Sequence, residues 1–194
     1  MKSTASPSES TIFGRQVQLR YSRGPWQFSL ENPETTLTPY GGGDRIVADD
    51  SHVPDFVARY NLDGERSDIT VAALLRELRY EDPASGLEDA TGGFAISVSG
   101  VVKAGPRDEF RWMASAGRGL GRYIGLNTAN GAVLDAAGHL HAIDSVGVFG
   151  SYRHFWSERW RSNLTLGYLS VDNDILLTGP DVTRKAGSMH LNLI

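Results

Sequence analysis

Cysteine is missing from this 194-residue sequence, which excludes disulfide bonds and thiolate metal ligands. Long apolar runs are missing as well: there is no stretch of about 18 apolar residues, so transmembrane helices are excluded. An excess of positive charge is missing too: 23 acidic residues outnumber 19 basic ones, and the net charge of -4 argues against a nucleic-acid partner held by bulk charge. Residues 1–10 lack the apolar segment of a secretory signal peptide, and we expect a disordered tail there.

The clearest positive pattern lies between Ser145 and Asp172. Apolar and polar residues alternate from residue 146 to 155 and again from 160 to 168, with a short turn flanked by Trp156 and Trp160 between the two runs. This period of two predicts a β-hairpin with one apolar and one polar face. Strands of about ten residues suit a tilted crossing of a bilayer.

The same alternation recurs along the chain and predicts about nine strands. They cover residues 13–22, 26–31, 55–62, 68–76, 94–103, 109–116, 146–155, 160–168 and 186–194. Short turns alternate with long connections at residues 32–54, 78–90, 117–144 and 173–185, with a small hairpin predicted near residues 135–138. This alternation is typical of outer-membrane barrels. We therefore predict an all-β fold, an antiparallel up-and-down transmembrane β-barrel, of which residues 11–194 form a partial barrel.

Aromatic residues gather near the predicted short turns, as expected for one girdle at a membrane interface. The predicted interface aromatics are Tyr21, Trp26, Tyr60, Phe110, Trp112, Trp156 and Trp160.

Four segments carry a resemblance to a known family. They are residues 26–35 (WQFSLENPET), 119–123 (GLGRY), 152–156 (YRHFW) and 160–164 (WRSNL). These segments are similar to the DcaP-like porins of Gram-negative outer membranes. The resemblance implies a homotrimer of barrels with about sixteen strands, which pass small anionic solutes such as dicarboxylates. The chain would then be an internal fragment of such a barrel, in contact with outer-membrane lipid and without its signal sequence.

The polar face of the predicted strands carries more basic than acidic residues, and fixed cations on a barrel wall favour anions. The predicted lining of an anion pathway is Arg20, Arg59, Arg76, Lys103, Arg111, Arg153 and Arg161. The acidic residues of this face are Glu31, Asp55, Asp68 and Glu109. The alternative is that the arginines serve only as partners of these carboxylates. We expect Arg59, Arg76, Arg111 and Arg153 to lie centrally, and Arg20, Lys103 and Arg161 nearer the short-turn rim.

Other motifs give weaker signals. The glycines of residues 117–121 suggest a phosphate-binding loop, but no strand–helix unit surrounds them, so Arg118 and Arg122 are expected at the pore or its rim. His139 and His141 are too few for a metal site, and residues 172–174 lack the rest of a calcium-binding loop. We predict no metal, no cofactor, no catalytic residues and no enzymatic activity.

Two other functions stay open at this point. One is a soluble β-barrel or sandwich that holds an apolar ligand, with its aromatic residues turned inward. The other is a non-conducting outer-membrane adhesin or enzyme. The first alternative differs from a porin in which face of the strands meets water.

Overall fold

The computed structural model of the protein describes residues 17–194, apart from the side chain at position 126. The predicted tail at residues 1–10 and the predicted beginning of the first strand lie outside the described residues. The strands are β1 (Gln18–Arg23), β2 (Trp26–Glu31), β3 (Thr35–Thr38), β4 (Ile46–Ala48), β5 (Asp55–Asp63), β6 (Ser67–Asp82), β7 (Leu87–Lys103), β8 (Glu109–Arg118), β9 (Ala132–Leu134), β10 (Leu140–Ala142), β11 (Asp144–Phe155), β12 (Arg161–Val171) and β13 (Lys185–Leu193). One short helix, α1 (Ile175–Thr178), precedes β13, and two turns of 3-10 helix cover Gly121–Tyr123 and Gly125–Asn127.

Nine strands form one large antiparallel sheet, in the order β1-β2-β5-β6-β7-β8-β11-β12-β13. Each strand pairs with the next member of this set along the chain, which confirms the predicted all-β, up-and-down arrangement. Among the described residues β1 and β13 are the two edges and do not pair with each other, so the sheet is not a closed barrel. The helix in the described part of the chain is too short to cross a membrane.

The alternation of the sequence produces a sheet with one apolar exposed face, which we call the outer face. Directly paired residues share a face of a sheet. Phe56 pairs with Leu75, which pairs with Phe94, and their exposed fractions are 38%, 58% and 55%. Leu164 and Leu166 continue the same face on β12 and are also exposed. A broad belt of exposed apolar side chains is typical of a surface that meets lipid.

The predicted loop at residues 78–90 is wrong, because β6 and β7 continue through it as a two-stranded ribbon with a tight turn at its tip. Within this ribbon Arg79 forms ion pairs with Glu81 at 2.6 Å and with Glu88 on the neighbouring strand. In the ribbon the polarity of the two faces is reversed: Leu78 and Tyr80 face inward and pack against the small sheet, whereas Arg79 and Glu81 lie on the outer face. The strict alternation of short turns and long loops fails at this connection.

Two other long connections build a second, smaller sheet, in the order β10-β9-β3-β4. The hairpin predicted near residues 135–138 is confirmed by the antiparallel pairing of β9 and β10. The long connection predicted at residues 32–54 contains the short strands β3 and β4, which the sequence did not indicate, and β3 also pairs in parallel with β9. Strands of three or four residues are too short to show a period, and every residue of β3 is buried.

The small sheet and the turn at Gly121–Tyr123 pack on the other face of the large sheet, the inner face. Leu74 of β6 and Ala95 of β7 are buried there in one cluster with Leu120 and Ile124. Burial of apolar side chains stabilises this contact and fixes the small sheet and the turn on the large sheet, which we call the wall. The small sheet and the turn, which we call the inserted segments, therefore occupy the inner face at the long-connection end of the strands.

Candidate pore-lining face

The basic residues predicted to share the polar face do share the inner face. In the ladder Arg59 pairs with Ala72, which pairs with Ser97, and such positions alternate with outer-face residues along each strand. The inner-face basic residues are Arg20, Arg59, Arg76, Lys103, Arg111, Arg153 and Arg161. The acidic residues Glu31, Asp55, Asp68 and Glu109 lie on the same face. That these residues line a conducting pathway stays a prediction.

Arg76 shares this face but is covered rather than open, contrary to the expectation of an accessible cation. Its side chain is 1% exposed, and its Nε lies 3.4 Å from Oδ1 of the fully buried Asp55. Its guanidinium donates hydrogen bonds to the backbone oxygens of Glu34 and of Gly119, the latter at 3.1 Å. Arg76 therefore joins the wall to both inserted connections, and solutes would not meet it directly.

Asp55 also binds residues of the turn at Gly121–Tyr123, which we call the inserted turn. Its Oδ2 lies 2.8 Å from the hydroxyl oxygen of Tyr123 and accepts a hydrogen bond from Arg122 at 3.1 Å. The Tyr123 hydroxyl oxygen is 3.0 Å from Oε2 of Glu31, so one phenolic proton serves two carboxylates. We call Asp55, Arg76, Arg122 and Tyr123 the Asp55 cluster. Because removal of one partner from a buried ionic group is costly, this cluster holds the turn in place.

Two further arginines of the inner face share a single carboxylate. Nη2 of Arg111 lies 2.7 Å from Oε1 of Glu109, and Nη1 of Arg153 lies 3.0 Å from the same oxygen. Arg153 also donates to Asn163. Both arginines are two residues from the short-turn ends of their strands, β8 and β11, so the expectation that they lie centrally is wrong.

The remaining cations are more accessible. Arg20 and Arg59 are exposed on β1 and β5, and Arg59 makes one long hydrogen bond, 3.4 Å, to the hydroxyl of Thr70. Lys103 donates to a backbone oxygen in the β5–β6 turn at 2.9 Å. Among residues 17–194 neither Arg20 nor Arg161 has a side-chain hydrogen bond or ion pair. The inner-face arginines without a carboxylate partner among residues 17–194 are thus Arg20 and Arg59 on β1 and β5 and Arg161 on β12, whereas those of β8 and β11 are paired.

A cleft of about 400 Å³ opens between these first strands and the inserted turn. It is lined by Arg20 and Arg59, by hydroxyl groups of β6 and β7, and by apolar residues near the turn. Leu120 and Tyr123 of the inserted turn close one end. The cleft thus contains two basic residues predicted from the sequence, Arg20 and Arg59. Its other lining residues on β6, β7 and the inserted turn were not predicted as site residues.

The two arginines predicted at the pore or its rim, Arg118 and Arg122, lie on opposite faces of the large sheet. Arg122 belongs to the Asp55 cluster, whereas Arg118 lies on the outer face, where it pairs in the ladder with Phe94. Its Nε lies 3.3 Å from Oδ1 of Asp144 at the long-connection end of the sheet. Arg118 is therefore a rim residue and does not point toward the inner face.

The predicted interface aromatics lie beside the short turns. Tyr21, Trp26, Tyr60, Phe110 and Trp112 fall on the outer face in the ladder. The rings of Trp26 and Tyr60 contact each other, with centroids 4.6 Å apart. Trp156 and Trp160 close the β11–β12 turn through a backbone hydrogen bond of 3.0 Å and are exposed. Their role at a membrane interface stays a prediction.

The two histidines of the small sheet bind separate carboxylates. His141 Nε2 lies 2.9 Å from Asp135 Oδ2, while His139 Nδ1 lies 3.9 Å from Asp89. The contact with His141, together with a backbone hydrogen bond from His139, lowers the pKa of Asp135 to about 2. Within the described residues no three His, Asp or Glu side chains are grouped so as to hold a metal ion.

The glycines considered as a phosphate loop serve close packing. Gly121 has φ +46°, and a Cβ there would lie 2.8 Å from the backbone nitrogen of Gly131 and from the hydroxyl of Thr36. Only glycine permits this conformation and approach without strain. Sequence reasoning missed Leu120 and Tyr123 as site residues, although two glycines spaced by one residue before a tyrosine mark a turn with an unusual backbone.

The sequence matches no known family and no curated protein. The structure, in contrast, is similar to the crystal structure of the outer membrane channel DcaP of Acinetobacter baumannii, with a TM-score of 0.75 at 18% sequence identity. The similarity covers 97% of this chain and 54% of that chain, so the chain spans about half the length of the channel it matches. Described residues 17–194 thus have the fold of part of an outer-membrane β-barrel channel.

Proposed function

We propose that this chain forms part of the wall of an outer-membrane pore, through which small solutes diffuse passively and anions pass more readily than cations. One observation carries the proposal: a single sheet has an exposed apolar outer face and a polar inner face rich in arginine. An apolar outer face would be left in water in a soluble ligand-binding protein, and this argues against that alternative. The likeness to a channel supports the pore reading at the level of the fold.

The preference for anions rests on the accessible guanidinium groups. Arg20 and Arg59 are exposed on the inner face, whereas the carboxylates of Asp55 and Glu109 are engaged by arginines. Guanidinium groups compensate an anion for lost hydration through charge-assisted hydrogen bonds. No reaction chemistry is part of this function.

We place the pore in the outer membrane of a Gram-negative bacterium, with the outer face in contact with lipid. The trimeric assembly implied by the family resemblance belongs to the same proposal. Cross-linking in native membranes, followed by electrophoresis without heating, would test it. A ladder that ends at three copies is expected, and a ladder that ends at one copy would contradict the trimer without affecting the pore.

The central test is conductance of the protein isolated from outer membranes and inserted into a planar bilayer. We expect discrete current steps and, under a KCl gradient, a reversal potential of the sign that chloride preference gives. Heat-unfolded protein is the control. Absence of steps from folded protein would overturn the pore, whereas steps with cation preference would overturn only the anion selectivity.

A further inference from the structure

A groove of about 530 Å³ lies at the long-connection end of β8, β11, β12 and β13. The residues of the outer face that line it are Phe94, Asp144, Val146, Ser170 and Lys185. Of these, Phe94 and Val146 belong to the exposed apolar belt, with exposed fractions of 55% and 45%. The groove therefore lies where the apolar belt ends and charged side chains begin.

Basic side chains stand on both sides of this groove. Lys185 and its neighbour Arg184 line it on β13, and within residues 17–194 neither has an ion pair or a side-chain hydrogen bond. Arg118 stands at the end of β8 with about half of its side chain exposed. Because β8 and β13 are three strand spacings apart, these cations are separated by about 14 Å across the sheet, at about 4.8 Å per spacing. Two anionic groups can thus be bound at separate positions.

Two carboxylates lie between these cations. Asp144 lines the groove and has its Oδ1 3.3 Å from Nε of Arg118. Asp172 also lines it and has no side-chain partner among residues 17–194. A carboxylate only accepts hydrogen bonds, whereas ammonium and guanidinium groups only donate them. A ligand matched to this groove therefore carries anionic acceptors for the cations and hydroxyl donors for the carboxylates.

On this basis we infer that the groove binds the headgroup of a phosphorylated glycolipid. One phosphate lies at Arg118 and a second at Lys185 and Arg184, where charge-assisted hydrogen bonds hold them. Sugar hydroxyl groups donate to the two carboxylates, and the acyl chains lie over the apolar belt. The long connections of outer-membrane barrels are extracellular, so the lipid belongs to the outer leaflet. This inference rests on the proposed function, which places the outer face in lipid, and adds a ligand to that face.

Native mass spectrometry measures the binding. The protein is isolated from outer membranes, exchanged into detergent micelles and titrated with diphosphoryl lipid A, an acylated glucosamine disaccharide with two phosphates. Monophosphoryl lipid A is expected to need an about tenfold higher half-saturating concentration, because one charge-assisted contact is lost. Glucose 1,6-bisphosphate, which has no acyl chains, should bind at least 100-fold more weakly than diphosphoryl lipid A.

Two basic variants and one control locate the site. Arg118→Gln and Lys185→Gln should each raise the half-saturating concentration of diphosphoryl lipid A about tenfold. Arg23→Gln should leave it unchanged, because Arg23 is an exposed outer-face residue at the short-turn end. Unheated electrophoretic mobility reports whether each variant is folded.

One acidic variant separates recognition of the sugar from attraction of phosphate alone. Asp172→Ala should weaken the binding of diphosphoryl lipid A several-fold, because an acceptor for a hydroxyl group is lost. The same variant should strengthen the binding of dioleoylphosphatidylmethanol, whose single phosphate diester carries no hydroxyl group, because a repulsive charge is removed. Stronger binding of both lipids by Asp172→Ala would overturn the glycolipid assignment.

The other outcomes separate this site from the pore. Equal weakening by the Arg23, Arg118 and Lys185 variants would show unspecific attraction of anionic lipid and would overturn the site. Equal affinity for diphosphoryl lipid A and glucose 1,6-bisphosphate would overturn the lipid as occupant. Either result in folded protein that conducts KCl leaves the pore intact, whereas protein without conductance would overturn the pore.

Discussion

The hydroxyl oxygen of Tyr123 lies 2.8 Å from Oδ2 of Asp55, and this contact ties the inserted turn to the wall of the sheet. Asp55 is fully buried, and Arg76 and Arg122 approach it from the wall and from the turn. The wall and the inserted turn are therefore held by one ionic group as well as by the apolar cluster around Leu120.

Tyr123→Phe should loosen this attachment without abolishing the fold. Loss of one hydrogen bond to a buried carboxylate is expected to lower the free energy of unfolding by about 1 to 3 kcal/mol. Asp55→Ala removes the partner of two arginines and should cost more, about 3 to 5 kcal/mol. Urea unfolding in detergent micelles measures both. Tyr168→Phe, on the outer face, is the matched control, and an equal loss for both phenylalanine variants would contradict the assigned role of Tyr123.

Charge selectivity should respond more to Arg59→Glu than to Arg111→Glu. The sequence suggested a strong role for Arg111 and Arg153, but both are bound to Glu109, whereas Arg59 is exposed. Two unit charges about 4 Å apart interact by about 4 kcal/mol at an effective dielectric of about 20, and a third of this changes partitioning about tenfold. Reversal potentials under a salt gradient measure the shift, which high salt should reduce. A larger shift for Arg111→Glu would show that Glu109 does not neutralise that pair.

The hairpin of β9 and β10 should open at low pH. The folded-state pKa of Asp135, about 2, lies below its usual value of 3.8, so the ionised carboxylate stabilises the hairpin. This stabilisation is complete above about pH 4 and is lost as the pH falls toward 2. Pepsin cleavage between residues 132 and 142, normalised to cleavage of an unfolded peptide at the same pH, should therefore be faster at pH 2 than at pH 4. Asp135→Asn should remove this difference and Asp181→Asn should keep it; a difference that persists in Asp135→Asn would assign it to another group.

Asp108 should stabilise the short-turn end of the sheet. It accepts hydrogen bonds from the backbone nitrogen of Phe155 at 3.0 Å and from the hydroxyl of Tyr152 at 2.9 Å, and it lies 2.7 Å from Nδ1 of His154. The bond from Phe155, followed by the contact with His154, lowers the pKa of Asp108. Asp108→Ala should reduce the melting temperature, measured by loss of fast electrophoretic mobility on heating. Glu65→Ala, in a neighbouring turn, is the control, and equal melting of the two variants would contradict the role of Asp108.

Single cysteines should separate the two faces, because the sequence contains no other cysteine. Leu166→Cys places a thiol on the outer face and Arg59→Cys places one on the inner face. In lipid vesicles a water-soluble maleimide should label position 59 and not position 166, while in urea it should label both. Rapid labelling of position 166 in vesicles would contradict a lipid-facing outer surface.

The large sheet could be predicted from the sequence because the two faces of its strands differ in polarity. Period-two alternation located residues such as Leu75 and Arg59 on opposite faces correctly, and it predicted the neighbour-to-neighbour pairing. It failed at Arg79 and Glu88, where the polarity of the faces is reversed: the charged residues lie on the outer face, and Leu78 and Tyr80 pack inward against the small sheet. Alternation assigns residues to the correct face only where the apolar face keeps the same surroundings along the strand.

The candidate site was harder to predict because its inner boundary comes from contacts that are distant along the chain. Asp55 meets Tyr123 across 68 positions, and Arg76 meets Gly119 across 43. Nothing in the local sequence states that a polar connection folds back onto the wall and covers Arg76. Periodicity identified the cations, but only tertiary packing determines which of them stay accessible.

The directions of the two edge strands of the nine-stranded sheet limit how many further strands can close it into a barrel. Successive strands alternate in direction, so β1 and β13, the first and the ninth in order, point the same way. Two copies of this sheet placed side by side about one barrel axis would meet at parallel seams. Closure through antiparallel seams on both sides requires an odd number of additional strands, which makes the total even, as in bacterial outer-membrane barrels. The shared direction of β1 and β13 thus determines that an odd number of strands must complete the wall.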